Sequence, residues 1–501
     1  MSLHYSLFFL AFFLFSCQTT PKNQFTESRQ PALTSADWPE GPIDDCIQSE
    51  LIFGFSKPVS SECTFNYVHI YPSDMGNTPI LNHGQAKIGS FNVFHMGDKQ
   101  APLKDFRRIA KIMNQWDLVG TQEFMPLSTE SALDNRLLFQ ALKGKDKEAV
   151  HSLFKNQPAL APGHIRMLIE LQKLDSSWAL IMQPVPEGEG SSGEMAGFFY
   201  RSSVTRLKEW DYCPKSGLAD VRGHFTAKNW ACLVQVPEAQ RKLMSRSAFA
   251  AFFQIGNFDF IALTSHIRFR PATLAKDRAL QSQELCEVQS EAANCRISQE
   301  NVGRFYEVKA VLDQIDELKK ASRDQDVIYM GDFNLELINS TRPHWKMALA
   351  SAEGFDVFQT APTTLGVKKT RLVSNYDHFI LHSQLSKECL TASMKPFDFT
   401  QGEAGSKDPL MKDIGQLLTE QGQAEVIDYK SAELSQMVKF QNSKGQVPFR
   451  KLSPTEIQNA QESLKNALVR ARKNSIAAYL EFLSDHLPIE MVCQTSRPDD
   501  D

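Results

Sequence analysis

Several apolar runs in this 501-residue sequence end in polar residues that can bind a metal ion or carry a proton. The run VIYM at 327–330 is followed by Asp332 and Asn334, side chains that a fully buried strand would not place at its exit. The same placement recurs at Asn92 (SFNV), Glu123 (TQEF), Glu194 (GEMAGFFYR), His266 (LTSHI), Asp377 (NYDHF), and Asp485 and His486 (SDHLPIE). Because the ends of packed strands are fixed in position yet open to solvent, α/β proteins assemble their sites there. We therefore expect these residues to form one site.

These residue types suit hydrolysis assisted by a metal ion. Carboxylate oxygens such as those of Glu123 are the ligands that Mg²⁺ prefers. An imidazole beside a carboxylate is held in one tautomer and can exchange protons near neutral pH, because the carboxylate favours its charged form. An asparagine amide adds a donor and an acceptor without adding charge, which explains Asp-x-Asn rather than Asp-x-Asp at 332–334. Taken singly, each residue is most often an ordinary polar strand end, so the prediction rests on the whole set.

The elements that must position these residues alternate between strand-like and helical patterns. The predicted strands are KIGSFNVF, DLVGTQEF, GEMAGFFYR, DVIYMGDFN, YDHFIL and SDHLPIEMV, and SAFAAFFQIGNFDFIALTSHI is predicted to be a hairpin that turns at Gly256-Asn257. Apolar residues at helical spacing predict helices around 103–113 and 305–315. The strands are too apolar for a sheet with one face in solvent. We therefore predict an α/β fold in which both faces are covered.

The order Asn, Glu, Glu, His, Asp-x-Asn, Asp, Asp-His resembles the endonuclease/exonuclease/phosphatase family of metal-dependent phosphoesterases, whose signature includes GDFN and SDH elements. GEMAGFFYR, YMGDFN and PFDF at 396–399 are similar to the deoxyribonuclease I-like branch of that family. The matched segments are short and scattered between about residues 87 and 492. The resemblance implies a four-layer α/β sandwich of two packed mixed sheets flanked by helices, here with helical surface insertions. It also implies Mg²⁺ as the cofactor, with Mn²⁺ or Ca²⁺ as alternatives.

The resemblance assigns a role to each residue of the set. A phosphodiester is anionic and repels hydroxide, so its hydrolysis requires neutralised oxygens and a deprotonated water. The expected metal site comprises Glu123, Asp485 and Asn92, of which Asn92 holds either the metal or the phosphate. Asp332 and Asn334 are expected to orient the water and the phosphate.

Two carboxylate–histidine pairs are also implied by the resemblance, Asp377 with His486 and Glu194 with His266. We expect His486 to activate water and His266 to stabilise or protonate the leaving group, while the reverse assignment stays open. His378, next to Asp377, is expected to point to the opposite side of its strand because side chains alternate along a strand.

Two departures from the deoxyribonuclease I-like branch bear on the substrate. Met125 stands where that branch has an arginine that enters the DNA minor groove, and Ser192 stands where it has a tyrosine that contacts DNA. The residues for cleavage are retained, whereas these duplex contacts are not. Arg201, Arg268 and Arg270 are candidates for phosphate contacts, with a structural role as the alternative for each.

The N-terminus predicts export. An apolar block from Leu7 to Phe15 precedes Ser16 and Cys17, and LFSC resembles the lipobox of bacterial lipoproteins, in which the cysteine is lipidated. The segment before the block lacks Lys and Arg, so an ordinary cleaved signal and an uncleaved anchor are alternatives. We predict a signal peptide with lipobox over 1–17 and a flexible tether over 18–43. The protein would then be lipid-anchored in the bacterial cell envelope, at the outer membrane or cell surface, or otherwise secreted.

One catalytic domain is predicted over 44–495, with insertions near 128–175, 268–300 and 400–475 that are ordinarily surface elaborations. The eight cysteines beyond Cys17 are an even number, which is compatible with disulfides in an exported chain. Cys213/Cys232 and Cys286/Cys295 are the natural pairs by proximity, and buried free thiols are the alternative.

The leading hypothesis is a secreted or surface-tethered, monomeric, Mg²⁺-dependent endonuclease that hydrolyses DNA phosphodiesters with little sequence preference. A formal net charge of −5 argues against a broad basic surface that grips nucleic acid, although an acidic metal site accounts for part of that count. The alternatives are a family member that acts on sphingomyelin-like lipids or small phosphate esters, a catalytically silent binding protein on this scaffold, and a lipoprotein with coincidental motifs.

Overall fold

The structure is a computed structural model, and it describes residues 10–11, 67–72, 83–96, 102–125, 163–183, 186–188, 193–214, 229–269, 274–286, 297–359, 361–366, 368, 370–436, 438–440, 449–451 and 453–496. The predicted tether and, apart from Leu10–Ala11, the predicted signal peptide lie outside these residues. None of the helices in these ranges combines the length and the hydrophobicity that a bilayer span requires.

The strands are numbered in chain order. They are β1 (Leu10–Ala11), β2 (Val68–Pro72), β3 (Gln85–Met96), β4 (Leu118–Phe124), β5 (Trp178–Met182), β6 (Met195–Arg201), β7 (Thr205–Leu207), β8 (Ala231–Leu233), β9 (Phe249–Ile255), β10 (Phe258–His266), β11 (Val327–Asp332), β12 (Phe355–Phe358), β13 (Leu365–Gly366), β14 (Arg371–Leu372), β15 (Asp377–His382), β16 (Lys395–Pro396), β17 (Val438–Phe440), β18 (Phe449–Lys451) and β19 (Ile489–Gln494). The strands predicted around the motif residues correspond to β3, β4, β6, β11, β15 and β19.

The α-helices are numbered in the same way. They are α1 (Phe106–Met113), α2 (Gly163–Leu174), α3 (Glu238–Arg241), α4 (Ala275–Cys286), α5 (Gln299–Leu312), α6 (Ile315–Ser322), α7 (Arg342–Ala348), α8 (Pro409–Gly415), α9 (Glu420–Gln436), α10 (Pro454–Ala471) and α11 (Ser475–Phe482). Short 3-10 turns lie at Ser383–Lys387, Thr391–Ser393, Phe399–Gln401 and Gln416–Leu418. Both helices predicted from apolar spacing are present, as α1 and α5.

Two large mixed sheets hold most of the strands. The first has the order β1-β2-β5-β6-β4-β3-β19-β16, and the second has the order β12-β15-β11-β10-β9-β7, with β8 also paired to β9. Within them, β3–β4 and β10–β11 are parallel. The predicted hairpin is β9–β10, an antiparallel pair that turns at Gly256-Asn257.

Because side chains alternate along a strand, the two faces of a strand pack in two different apolar layers. On β11, Ile328 and Met330 join the apolar cluster that both sheets share, whereas Val327 and Tyr329 join a cluster with α5 and α7. A strand covered on both faces needs apolar residues at every position, which explains the unbroken VIYM run.

A third cluster covers the outer face of the first sheet. It combines Phe91 of β3 and Val119 of β4 with Ile109 of α1, Leu171 of α2 and Tyr479 of α11. The layers are therefore helices, sheet, sheet and helices, and the predicted four-layer α/β sandwich is confirmed.

The segments predicted as insertions contribute helices to these outer layers. Within 128–175, α2 buries Met167, Leu168 and Leu171 in the cluster that contains α1. Within 400–475, α8 is joined to α1 by ion pairs from Arg108 to Asp413 and from Lys111 to Asp413. The boundaries of the domain and of its insertions stay predictions.

Two disulfides join pairs of described cysteines, one of them predicted from proximity in the sequence and one not. Cys213 is bonded to Cys232, as predicted, and Cys389 is bonded to Cys493 across a sequence separation of 104. Cys286 is also disulfide-bonded, whereas its predicted partner Cys295 lies outside the described residues.

Candidate active site

Alternation brings most of the predicted residues to the space between the sheets. Asp332 follows Ile328 and Met330 on the inner face of β11 and is in register with His266 on β10 and Asp377 on β15. On β3, Asn92 lies two residues beyond Ser90, on the face that also carries Ile88. These residues lie at the same end of both sheets, as predicted for strand termini.

Glu123 reaches the site through a break in the strand pattern. Val119 and Phe124 both face the outer cluster, so strict alternation would place Glu123 on the outer face with Val119. The pairing of β4 with β6 shifts register between Thr121 and Phe124, and Glu123 has a φ of +60°. This irregularity turns the Glu123 carboxylate toward Asn92 instead.

Left-handed backbone is concentrated around the site. Phe94, His95, Glu123 and Asn334 have φ values of +42°, +48°, +60° and +51°. Non-glycine residues adopt this region at a cost of about 1–3 kcal/mol each, and such residues cluster at functional sites. Gly331 of the GDFN element has a φ of +152°, and a Cβ there would lie 2.0 Å from the Ser265 carbonyl oxygen.

The Asp332 carboxylate is the centre of the arrangement. Its Oδ2 lies 3.5 Å from His266 Nε2 and 3.4 Å from His486 Nε2. The same oxygen accepts a hydrogen bond from Asn92 Nδ2 at 3.0 Å, and Oδ1 accepts one from the Asn334 backbone at 2.9 Å. Residues from four separate parts of the sequence therefore meet at one carboxylate.

Each histidine has a second carboxylate on its other nitrogen, in the pairing that the motifs implied. His486 Nδ1 lies 2.7 Å from Asp377 Oδ2, and His266 Nδ1 lies 2.6 Å from Glu194 Oε2. The amide of Asn334 lies 3.1 Å from His266 Nε2 and donates to the Ile267 carbonyl at 2.9 Å.

The carboxylates favour the charged form of both imidazoles. Burial alone would lower the pKa of His266, but the charge and hydrogen bond of Glu194, followed by the charge of Asp332, raise it to about 9. Burial would likewise lower the pKa of His486, but Asp377, Asp332 and Asp485 raise it well above its ordinary value. Both rings can thus take up and hold a proton.

Glu123 and Asn92 are joined directly. Asn92 Nδ2 donates to Glu123 Oε1 at 2.9 Å, and the His95 backbone donates to Glu123 Oε2 at 2.7 Å. Burial would raise the pKa of Glu123, but the charges of His266 and His95 and these hydrogen bonds lower it. Glu123 is therefore an ionised carboxylate within the site.

The arrangement leaves carboxylate oxygens without hydrogen bonds, as a cation site would. Asp485 Oδ1 and Asp377 Oδ1 are buried and have no hydrogen-bond partner in the part of the chain that the structure describes. Burial raises the pKa of Asp485 to about 6; the charges of Glu123 and Asp332 add to this effect, whereas those of His486 and Lys104 oppose it. Repulsion among these acidic groups is what a divalent cation would relieve, so the residues fit such an ion.

Two sets of potential ligand atoms each lie within 4.8 Å of one another: those of Glu123, Glu194 and His266, and those of Asp332, Asp377 and His486. Asp485 belongs to neither set. Its proposed position at the metal therefore rests on its unpaired oxygen and its electrostatic coupling to Glu123.

Sequence reasoning missed three residues at the site. Arg246 donates to Glu194 Oε1 at 2.8 Å and to the His266 carbonyl at 3.3 Å. Buried Lys104 donates to the carbonyls of Val93 and Leu483, at 2.9 Å for the latter. Neither cation adjoins a motif, so no sequence signal marked them.

Ser484 is the third of these residues, and it did carry a signal because it belongs to the SDH element. Its hydroxyl donates to the Asn92 carbonyl at 2.7 Å and accepts from the His486 backbone at 3.2 Å. Ser484 therefore ties the segment that bears Asp485 and His486 to the end of β3.

The other candidates lie in structural settings. Arg268 is paired with buried Glu307 at 2.6 Å, and Arg201 lies over the Trp178 ring and 3.6 Å from Asp175. Arg270 and Ser192 lie outside the described residues. His378 points away from Asp377, as predicted, and its ring nitrogens lie 3.0 and 2.7 Å from backbone carbonyl oxygens.

No family model and no curated protein matches this chain. Solved structures that it resembles include an endonuclease/exonuclease/phosphatase family protein from Bacteroides thetaiotaomicron, with 11% identity, a TM-score of 0.34, and coverage of 81% of this chain and 97% of that chain. Truncated TDP2 from Caenorhabditis elegans has 9% identity, a TM-score of 0.33, and coverage of 83% and 99%. The human Nocturnin catalytic domain with bound sulfate has 10% identity, a TM-score of 0.31, and coverage of 66% and 88%.

These similarities, with identities of 11% or less and TM-scores below 0.5, carry no argument about family or activity. The described residues form the two-sheet sandwich and the two carboxylate–histidine pairs that the sequence resemblance to the endonuclease/exonuclease/phosphatase family implies.

Proposed function

We propose that this protein is a metal-dependent phosphodiesterase of the endonuclease/exonuclease/phosphatase type, and that it hydrolyses DNA. The observation that carries the proposal is the position of Asp332 Oδ2, within 3.5 Å of one nitrogen of both His266 and His486. Each of these imidazoles is backed by a carboxylate on its other nitrogen. Two such pairs facing one another provide a proton acceptor and a proton donor for a phosphate bound between them.

The metal ligands of this proposal are Glu123, Asp485 and Asn92, with Mg²⁺ as the ion and Mn²⁺ or Ca²⁺ as alternatives. Hard cations favour carboxylate and amide oxygens, and the unpaired buried oxygen of Asp485 provides one. When bound, the ion neutralises phosphate oxygens and lowers the pKa of water.

The protein's own residues divide the remaining work. His486, held by Asp377, would remove the proton from the attacking water in its neutral form, which a cation at Glu123 and Asp485 would favour by offsetting the carboxylate charges that raise the pKa of His486. His266, held by Glu194, would give a proton to the leaving oxygen. The Asn334 amide, fixed by its hydrogen bond to Ile267, is placed to donate to a phosphate oxygen without adding negative charge. The reverse assignment of the two histidines uses the same contacts.

The proposed setting is outside the cytoplasm, with the protein tethered to the bacterial envelope through Cys17 or secreted. The Cys213–Cys232 and Cys389–Cys493 disulfides support this proposal, because disulfides persist chiefly in oxidising compartments. In such a setting, cleavage with little sequence preference and monomeric action are the simplest expectations.

Purified full-length protein tests the proposal. Supercoiled plasmid, RNA, sphingomyelin and bis(4-nitrophenyl) phosphate are each incubated with Mg²⁺ or with chelator. The variants Glu123→Ala and His486→Ala are compared with wild type, and His83→Ala serves as control because His83 is exposed and lies at the opposite end of β3. We expect plasmid nicking that requires metal, with both site variants slower by ~10²–10⁴-fold, as for loss of a general base.

Each alternative gives a different result. Release of phosphocholine with intact plasmid would identify a lipid phosphodiesterase, and cleavage of the aryl ester alone would indicate a small phosphoester as substrate. A folded protein that binds metal but hydrolyses nothing would show a silent scaffold. Activity of His486→Ala within a factor of about three of wild type would refute the proposed role of that residue.

A further inference from the structure

An exposed aromatic ring stands beside the candidate site. The chain leaves β10 at His266 and reaches Phe269 three residues later, where the side chain is 60% exposed. Isolated exposed apolar residues are common and carry no meaning by themselves. Phe269 differs because a buried arginine packs against its ring and also contacts a residue of the candidate site.

The ring is held by a buried cation. The Arg304 guanidinium, from α5, lies 5.1 Å from the centroid of the Phe269 ring and donates a hydrogen bond to the Phe269 carbonyl. Guanidinium groups pack on aromatic faces through cation–π attraction. Although Arg304 packs against it, more than half of the Phe269 side chain remains open to solvent.

Arg304 is only 8% exposed, and among the described residues it forms no direct ion pair within 4.0 Å, although the charges of Glu300 and Asp332 act on it from farther away. Its Nε is buried and has no hydrogen-bond partner within the described ranges, and its other nitrogens donate to oxygens of Asn301, Asn334 and Phe269. A buried guanidinium that is not neutralised by an ion pair favours an anionic ligand nearby.

The same guanidinium links the ring to the site. Arg304 Nη1 donates to the Asn334 carbonyl at 2.7 Å, and the Asn334 amide lies 3.1 Å from His266 Nε2. Phe269 is therefore fixed relative to the histidines through a single side chain. Phe269 is also only three residues beyond His266 in the chain, so the two are connected both along the backbone and through Arg304.

We infer that Phe269, braced by Arg304, is a stacking site for an unpaired base next to the phosphate that is cleaved, so that the substrate is single-stranded or locally unpaired DNA. The inference rests on the proposed function and adds a substrate class to it. A base inside a duplex is stacked on both faces, so a protein ring can take it only after it leaves the stack. Single-strand binders combine aromatic rings with positive charge in the same way.

The test compares wild type with Phe269→Ala and Phe269→Trp. Leu390→Ala is the matched control, because Leu390 is an apolar residue that is also exposed, at 40%, in a different part of the chain. The substrates are a single-stranded oligonucleotide, its duplex, and a single-stranded oligomer of abasic sites, all with Mg²⁺. Binding of each oligonucleotide to protein kept metal-free with chelator is measured in parallel by fluorescence anisotropy.

We expect Phe269→Ala to raise KM for the single strand by about 5- to 150-fold, the range for loss of one stacked base, with kcat little changed. Phe269→Trp should stay within about threefold of wild type, because it retains an aromatic face. The abasic oligomer should not respond to either variant, and Leu390→Ala should behave as wild type on every substrate.

The failures are distinguishable. Cleavage of the single strand with an unchanged KM in Phe269→Ala would overturn the stacking site and leave the proposed function standing. An equal loss on the abasic oligomer would show a structural effect and also overturn it. Single-strand binding that depends on Phe269, in a protein that hydrolyses no substrate, would support the stacking site and refute the proposed function. Binding to sphingomyelin vesicles that depends on Phe269, without binding to DNA, would overturn the inference in favour of a lipid surface.

Discussion

Replacement of Asp377 by asparagine tests the two-pair arrangement most directly. Asp377 is fully buried, and its Oδ2 lies 2.7 Å from His486 Nδ1. Asparagine keeps the size of the side chain but removes its charge, and its amide group can present a donor where the imidazole also needs to donate. The change therefore alters the charge and the tautomer of His486 while the packing around it is preserved.

The expected loss follows from the contact that is removed. A hydrogen bond to a charged group contributes about 1.5–3 kcal/mol, which corresponds to about 10- to 150-fold in rate at 1.4 kcal/mol per tenfold. A wrong tautomer adds to this, and in Ser–His–Asp enzymes the corresponding change from aspartate to asparagine costs about 10⁴-fold. We therefore expect Asp377→Asn to lower kcat by ~10²–10⁴-fold, with KM changed by less than a few-fold.

Steady-state kinetics with Mg²⁺ on the best substrate from the panel provides the measurement, and thermal unfolding verifies that the variant is folded. Asp356→Asn is the control, since Asp356 is an exposed aspartate on the neighbouring strand β12. A folded Asp377→Asn protein with a kcat within about threefold of wild type would show that the pair has no part in catalysis.

Three further outcomes are expected, each measured by urea denaturation. Burial lowers the pKa of Lys104 from 10.5 to about 7, so the unfolded chain binds a proton on this side chain more tightly than the folded chain does. With chelator present, the free energy of unfolding should therefore rise between pH 7 and pH 10.5, and Lys104→Met should remove the contribution of this residue to that rise. Replacing Cys389 and Cys493 together by serine opens a cross-link over 104 residues and should lower the unfolding free energy by about 4–5 kcal/mol; a change below about 1 kcal/mol would contradict this. Gly331→Ala forces a Cβ to within 2.0 Å of the Ser265 carbonyl and should destabilise by about 3 kcal/mol or more, and a stability equal to wild type would show that the strands can separate there.

Local sequence patterns predicted much of the fold and which polar side chains stand at the strand ends. Continuous apolar runs such as 327–330 indicated strands covered on both faces, and polar residues at their ends indicated where the side chains of Asp332 and His266 emerge. Alternation also predicted correctly that His378 points away from Asp377. These predictions succeeded because each depends only on near neighbours in the chain.

Contacts between segments that are far apart in the chain could not be predicted from local sequence patterns. The register shift that turns Glu123 inward depends on how β4 pairs with β6, and the Cys389–Cys493 disulfide depends on where β19 ends beside a distant loop. Arg246 and Lys104 reach the site from segments without a motif, so only the packed structure reveals them.

By itself, the sequence determined which side chains stand at strand ends and which chemical types they are, because strand periodicity and residue type are local properties. The resemblance implied which carboxylate pairs with which histidine, whereas the tertiary structure alone decided that both imidazoles approach Asp332 and that Arg304 packs on the exposed Phe269 ring. Pairing of strands and packing of helices fix distances between residues hundreds of positions apart, and no local pattern encodes such distances.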